Sequence, residues 1–391
     1  MGFLFLSKQN SFMKYSLLAV IAFICNVGIA QQTLDRTITH GGLTREYRLY
    51  IPAAYNGNKA VPLVFNLHGY SSNNAQQELY TNFKPIADTA NFIMCLPNGT
   101  YDTVNNRYWN VGFAASTIDD VDFISLLIDS LTSKYNIDSK KIFSTGMSNG
   151  GFLSYSLACQ LSNKVAAIAS VTGSMTIVQR NNCNPGRTVP VMQIHGTADA
   201  TVPYAGTFTS LPIDTLIKDW VAKNGCSATP TKTNVPNTSL TDNSTAERFD
   251  YTNCAPGGEV VLYKAYSAGH TWPGAIINLS VTNMDFNASH EIWKFFLKHS
   301  LPNVSSIVDD FHELNTISIY PNPTSNFISI ENSNNKKIAS ISIKDLAGKS
   351  YNNSWDASAS TVNVQNIASG LYLCHIHFEN GIVVVKKFLK N

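Results

Sequence analysis

Five short apolar runs, PLVFNLHG at 62–69, FIMCLPNG at 92–99, KIFSTG at 141–146, VAAIASVTG at 165–173 and PVMQIHG at 190–196, each close on a glycine. A strand that is apolar on successive residues has no face to offer water, so it must be covered on both sides. The cover is at hand: helix-like stretches fall near 74–90, 120–135, 149–162 and 211–224. This alternation predicts an α/β fold with a mainly parallel central sheet. In such sheets ligands gather at the carboxyl ends of the strands, where these glycines lie. Ahead of them, TLDRTITHGGLTREYRLYIP at 33–52 alternates around Gly41-Gly42 and predicts a two-stranded hairpin.

The pattern stops near residue 301. LPNVSSIVDDFHELNT is polar and aperiodic, so 302–316 is expected to be a linker. Residues 317–391 hold short alternating runs (ISIYPNP, FISIEN, ASISIKDLAGK, VNVQNI, GLYLCHIHFENG, VVVKKFLKN) split by Asn, Gly and Pro turns. They predict a small all-β, sandwich-like C-terminal domain. At the other end, Lys8 and Lys14 precede an apolar run from Leu17 to Val27 and then Gly28-Ile29-Ala30. That is a signal peptide over 1–30, too short for a membrane span, with Met13 as an alternative start. Cys25 raises a lipoprotein reading, but Ala22-Phe23-Ile24 lacks the small residues expected before a lipidated cysteine. The main domain is therefore 31–301.

Removing the leader leaves six cysteines, and an even number in an exported chain permits disulfides. Cys226 with Cys254 and Cys159 with Cys183 are the expected pairs, because each closes a loop inside one domain. A net charge of +2 leaves no electrostatic footprint for nucleic acid.

Within FSTGMSNGGF at 143–152, Ser148 stands two residues from Gly146 and two from Gly150, between a strand and a helix. A serine at the tip of a sharp strand-to-helix turn needs neighbours without bulk, and the exposed hydroxyl is then a candidate nucleophile. It needs a histidine base, itself oriented by a carboxylate. Asp199 in HGTADATVPY and His270 in YSAGHTWPG follow strand ends in the order Ser, Asp, His. The oxyanion donors are expected to be the backbone N–H groups of Asn149, at the helix start, and Tyr70, in LHGYSSN. His68 reads as a loop-ordering residue and His195 as structural. Asp119, Asp120 and Asp122 read as helix-capping carboxylates that precede the nucleophile. Trp109 and Trp272 line an aromatic substrate cleft or belong to the core, a choice the residues leave open. Cys374, His375 and His377 lack a third well-placed ligand, so no metal is expected, and the chemistry requires no cofactor.

These motifs, together with the DDVDFISLLIDSL helix at 119–131, resemble those of the secreted polyhydroxybutyrate depolymerases and feruloyl esterases of carbohydrate esterase family one, over roughly 35–300. The resemblance implies an α/β-hydrolase fold with Ser148, Asp199 and His270 as triad. The oxyanion loop departs from the family by carrying Tyr70-Ser71 where many relatives have cysteine or further glycines. Tyr320-Pro321-Asn322-Pro323, Asp345-Leu346-Ala347-Gly348-Lys349, Gly370-Leu371-Tyr372 and Lys386-Lys387 are similar to the C-terminal sorting domain of type IX secretion in Bacteroidota. That implies export across the outer membrane by the type IX machinery, without stable membrane insertion, and removal of the tail. The expected function is a secreted serine esterase acting on feruloyl or acetyl esters of plant polysaccharide. Alternatives are a polyhydroxybutyrate (polyester) depolymerase, a peptidase, and a non-catalytic glycan- or polymer-binding surface protein.

Overall fold

The computed structural model describes residues 31–113, 115–277, 280–302, 317–332, 337–345, 349–351, 354–379 and 383–391. The signal peptide expected over 1–30, and all but the first residue of the expected linker, lie outside them. The chain divides into two compact units, Met1–Leu301 and Pro302–Asn391.

The hairpin of the first unit is β1 (Gln32–His40) and β2 (Leu43–Ile51), which turn at Gly41 and Gly42, both at positive φ. Next come β3 (Val61–Leu67), α1 (Asn74–Thr81), α2 (Lys84–Ala90) and β4 (Ile93–Pro97). A two-stranded ribbon, β5 (Thr100–Tyr101) and β6 (Arg107–Tyr108), leads to α3 (Asp120–Lys134), β7 (Ile137–Met147) and α4 (Asn149–Gln160). The remainder is β8 (Ala167–Val171), α5 (Ile177–Asn181), β9 (Val191–Gly196), α6 (Ile213–Lys223), β10 (Thr231–Asn234), β11 (Thr245–Tyr251), β12 (Val260–Tyr266) and α7 (Ala288–Leu297).

Ten of these strands form one sheet in the order β1-β2-β4-β3-β7-β8-β9-β12-β11-β10. The six from β4 to β12 are parallel, and an antiparallel pair closes each edge. Alternation along β3 shows why both faces are apolar. Leu63, Phe65 and Leu67 pack with Phe123 of α3, Phe152 of α4 and Trp220 of α6. Val64 faces the other way, to a core holding Ile86 of α2 and Ile292 and Phe296 of α7. The chain leaves β3 toward β4 on one side and leaves β7 toward β8 on the other, so the topology reverses between β3 and β7. A crevice opens at the carboxyl ends there.

The stretch read as one helix over 74–90 is two. Asn82 caps α1 in the left-handed conformation, and Pro85 opens α2. The helix α7 carried no notice in the alternation pattern. Both expected disulfides are formed, Cys159–Cys183 and Cys226–Cys254, while Cys95 and Cys374 are free and buried.

The second unit comprises β13 (Ile317–Tyr320), β14 (Phe327–Asn332), β15 (Ile338–Asp345), β16 (Ser350–Tyr351), β17 (Ser354–Asp356), β18 (Thr361–Asn363), β19 (Gly370–Phe378) and β20 (Val383–Lys390). They make two four-stranded sheets, β13-β14-β18-β17 and β16-β15-β19-β20. Ile328 and Ile330 of one sheet and Ile341, Ile343, Cys374 and Ile376 of the other share a single core, which makes the unit sandwich-like. Cys374, one of the residues weighed as a metal ligand, is a core side chain here. Within the Asp345–Lys349 motif, residues 346–348 lie outside the described ones.

Candidate active site

Only Ser148 separates β7 from α4, and it holds φ 53° and ψ −121°, a region a side chain adopts at a cost. Glycine is what allows the turn to close. A Cβ on Gly146 would lie 2.6 Å from the Gly150 carbonyl carbon, and one on Gly150 would lie 2.2 Å from the Leu67 oxygen. The Ser148 N–H donates to the Val171 carbonyl at 2.8 Å, which ties the elbow to the end of β8.

Asn149 opens α4, where backbone amides lack intrahelical acceptors and the helix dipole favours an anion. Its side chain has a second task that no sequence signal announced. Oδ1 accepts the Trp109 N–H at 2.6 Å and Nδ2 donates to the Trp109 carbonyl at 3.1 Å. The residue after the serine thereby clamps the segment that follows the β5–β6 ribbon.

From the other side of the switch point, the loop after β3 brings Gly69 so close that a Cβ there would meet the Ser148 Cβ at 3.4 Å. Tyr70 follows, with its ring 49 % exposed and its hydroxyl donating to Asp102 at 2.6 Å. Its side chain is therefore engaged with the ribbon, and what it can offer an oxyanion is its backbone N–H. The Ser71 N–H donates to the Arg107 carbonyl, a second tie to the ribbon. His68 orders this loop from within: its Nε2 accepts the Gly99 N–H at 3.0 Å, and its Nδ1 lies 2.7 Å from the Gly69 carbonyl. Burial drives its pKa down to about 4, so the ring is neutral at ordinary pH.

The strand ends after β9 and β12 are stitched together. Gly196 presses on the neighbouring loop, where a Cβ would lie 2.3 Å from the Ala268 oxygen. The N–H groups of Thr197 and Ala198 donate to the carbonyls of Ala265 and Ala268. Asp199 and His270, 71 positions apart, meet as a consequence: His270 Nδ1 lies 2.7 Å from Asp199 Oδ2. The other carboxylate oxygen accepts the N–H groups of Thr201 and Val202 at 2.9 and 2.8 Å. A carboxylate only accepts, so the neutral imidazole carries its proton on Nδ1 and keeps the Nε2 lone pair free. The Asp199 side chain is fully buried, while that of His270 is 19 % exposed.

Ser148, Asn149 and the residues cradling Asp199, Thr201 and Val202, line one cavity of about 620 Å³. Its walls are aromatic: Tyr70, Tyr101, Tyr108, Trp109, Phe113 and Phe152. The two tryptophans part company here. Trp109 is as buried as Trp272 and packs in the core, but it also lines the cavity wall, with its indole N–H on the His68 carbonyl at 2.8 Å. Trp272 is a correction to the cleft reading: it is 1 % exposed, lies in the core that holds α7, and donates its indole N–H to Ser289 at 3.0 Å. Two residues after His270, Trp272 anchors the loop, its backbone N–H donating to the Tyr80 hydroxyl oxygen at 3.0 Å.

The three aspartates before α3 also separate. Asp119 caps the helix on the Asp122 N–H, as expected, and the exposed Asp122 pairs with His40. Asp120 is buried against Arg45 at 2.6 Å and accepts the Asn110 N–H at 2.7 Å, and burial raises its pKa. It thus holds the segment next to Trp109. The ribbon and this anchoring had no readable motif, since turn residues such as Asp102 and Asn106 occur in any loop. Among the described residues no cluster of His, Cys, Asp or Glu is arranged to hold a metal. Nor is any described helix long and apolar enough to cross a membrane.

A serine elbow at the switch point of a doubly covered parallel sheet defines the class as α/β-hydrolase. Residues 54–220 match the phospholipase/carboxylesterase family, and residues 318–391 match the secretion system C-terminal sorting domain. The chain is similar to feruloyl esterase B of Piromyces equi, with 30 % identity over 237 residues, covering 58 % of this chain and 42 % of that protein. It is also similar to the bifunctional acetylxylan esterase/xylanase XynS20E of Neocallimastix patriciarum, at 28 % identity, covering 59 % of this chain and 31 % of that protein. It thus spans less than half the length of either. A probable feruloyl esterase C of Aspergillus niger is 28 % identical over 261 residues, covering 65 % of this chain and 84 % of its own. The solved acetyl xylan esterase of Aspergillus awamori shares the fold, with a TM-score of 0.50 at 15 % identity, covering 67 % of this chain and 98 % of that one. This chain carries an α/β-hydrolase domain like those of feruloyl and acetyl esterases, fused to a C-terminal type IX sorting domain.

Proposed function

We propose that this chain is an exported serine esterase that releases an aromatic acid of the feruloyl kind from esters on plant polysaccharide. The observation that carries the reading is the aromatic cavity of about 620 Å³ opening on Ser148. A planar ring fills such walls, whereas an acetyl group leaves them empty. The names of the feruloyl esterases similar to this chain point the same way.

In this proposal Ser148 Oγ attacks the ester carbonyl and its proton passes to His270 Nε2. Asp199, accepting from Nδ1–H, stabilises the imidazolium that results. The backbone N–H groups of Asn149 and Tyr70 receive the oxyanion. Collapse breaks the bond to the alcohol, which leaves with the proton from His270. Water then attacks the acyl-enzyme, giving its proton to His270, and the acid departs as Ser148 regains a proton. No metal or cofactor enters these steps. The C-terminal unit addresses the chain to the type IX route.

The test is a panel of methyl ferulate, p-nitrophenyl acetate, hydroxybutyrate oligomers and a peptide anilide, run with wild type and Ser148→Ala. Hydrolysis of methyl ferulate in preference to the others, abolished by Ser148→Ala, is the expected result. Preference for the oligomers turns the assignment to polyester, and binding of xylan with no turnover of any ester turns it to a glycan-binding protein.

A further inference from the structure

Behind the Asp199–His270 pair runs a buried chain of polar side chains that the esterase reading leaves unused. It starts on α4, the helix that begins at the nucleophile. The Tyr155 hydroxyl donates to Gln193 Oε1 at 2.8 Å. Gln193 Nε2 donates to the Gly173 carbonyl at 2.9 Å and lies 2.9 Å from His195 Nδ1. Because that amide nitrogen only donates, Nδ1 of His195 is the acceptor and the ring proton sits on Nε2. Nε2–H points to the Val202 carbonyl at 2.8 Å and lies 3.4 Å from Asp199 Oδ2, the oxygen that receives His270. Val202 closes the circuit, since its own N–H donates to Asp199 Oδ1. Tyr155, Gln193 and His195 are all fully buried.

We propose that His195 is a positioning residue for Asp199, held in its Nε2–H tautomer by Gln193 and Tyr155, and that it fixes the 199–202 turn so that the carboxylate meets His270 in register. The inference rests on the Ser148–His270–Asp199 reading. Each member of the chain can take only one hydrogen-bonding role once its neighbour is set, so the orientation of the carboxylate is decided as far back as the nucleophile helix. A plain packing residue at 195 needs no such polarity, and burying one costs free energy unless it is fully partnered. The titratable groups facing His195 are Asp199, His270, Tyr204, whose ring lies edge-on at 5.9 Å, and Tyr155 through Gln193. Burial holds the His195 ring below the usual histidine pKa, so it stays neutral while His270 works.

The experiment compares wild type, His195→Met, His195→Gln and Tyr155→Phe in the full chain. Active sites are counted by a fluorophosphonate reagent, the pH profile of kcat/KM on methyl ferulate is recorded, and the downfield proton signal of the His270 Nδ1–H is followed by NMR. Misplacing a catalytic group by about 1 Å costs roughly 100-fold. His195→Met is therefore expected to lose about that factor in kcat per titrated site, with KM within about threefold, to move the acid limb of the profile downward and to weaken the downfield signal. His195→Gln, which keeps an N–H near the Nε2 position, is expected to recover most of the loss. Tyr155→Phe, a gentler change, should shift kcat and the acid limb in the same direction by a smaller amount. An acid limb and a downfield signal unchanged in both His195→Met and Tyr155→Phe overturn the proposal, whatever happens to stability. If wild type hydrolyses no ester, the function reading fails. The NMR signal still decides the positioning claim.

Discussion

Replacing Gly150 by alanine tests the elbow itself. The added Cβ would lie 2.2 Å from the Leu67 oxygen, 2.6 Å from the Leu67 carbonyl carbon and 2.7 Å from the His68 oxygen. All three are backbone atoms at the end of β3 and just beyond it, so no side chain can swing aside. Side-chain carbons rarely approach closer than about 3.0 Å, so the start of α4 and the end of β3 must separate by roughly 0.8 Å, the difference between 3.0 and 2.2. Overpacking of this kind costs about 1–3 kcal/mol of stability. The larger effect is on rate, because the same displacement carries Ser148 and the Asn149 amide away from the oxyanion loop, and a shift near 1 Å costs roughly 100-fold. Gly186→Ala is the control, since its Cβ would meet only the Ser162 hydroxyl oxygen, at 3.7 Å. The assay is kcat on p-nitrophenyl acetate per fluorophosphonate-titrated site, with Tm measured on the same samples. A Gly150→Ala enzyme within threefold of wild type in kcat refutes the argument that the elbow closes only without a side chain at 150.

Asp199→Asn keeps the shape of the turn but offers His270 an amide, and the wrong tautomer then lowers kcat by about 10⁴-fold; retention of turnover shows that another acid serves the histidine. Tyr101→Ala trims the exposed rim of the aromatic cavity and is expected to raise KM for methyl ferulate about tenfold while leaving p-nitrophenyl acetate nearly unchanged, since one apolar contact is worth roughly 1–3 kcal/mol; equal effects on both esters sink the aromatic-acyl assignment. His68, with its folded pKa near 4 against an ordinary 6.5, binds a proton in the unfolded chain before it does so in the folded one. Stability from this group is complete above about pH 6.5 and is lost as pH falls toward 4, by up to ~3 kcal/mol. Urea midpoints measured between pH 7 and pH 4 should fall accordingly, and His68→Gln should flatten that slope; an identical slope in the variant contradicts the buried neutral imidazole.

Much of this protein can be read along the chain because local physics writes it there. Strands apolar on both faces, separated by helix-length segments, admit few architectures, and the hairpin at 33–52, the two-domain division of patterns and the alternating strands of the tail follow from periodicity alone. The glycine spacing around Ser148 is legible because the strand-to-helix turn is local and a Cβ on Gly146 would meet Gly150. The tightest clash, that of Gly150, is with Leu67 on a strand far earlier in the chain. Tertiary structure decided what depends on partners distant in sequence. It gave Trp109 a place in the cavity wall and left Trp272 in the core alone, although both are buried tryptophans in loops near glycine. It separated Asp120, buried on Arg45, from Asp119 and Asp122 beside it. It turned the Asn149 side chain onto Trp109 and set His195 behind Asp199. Hydrogen-bond roles of buried polar groups are set by which groups face them across the sheet, and a sequence carries that information only once the chain has folded.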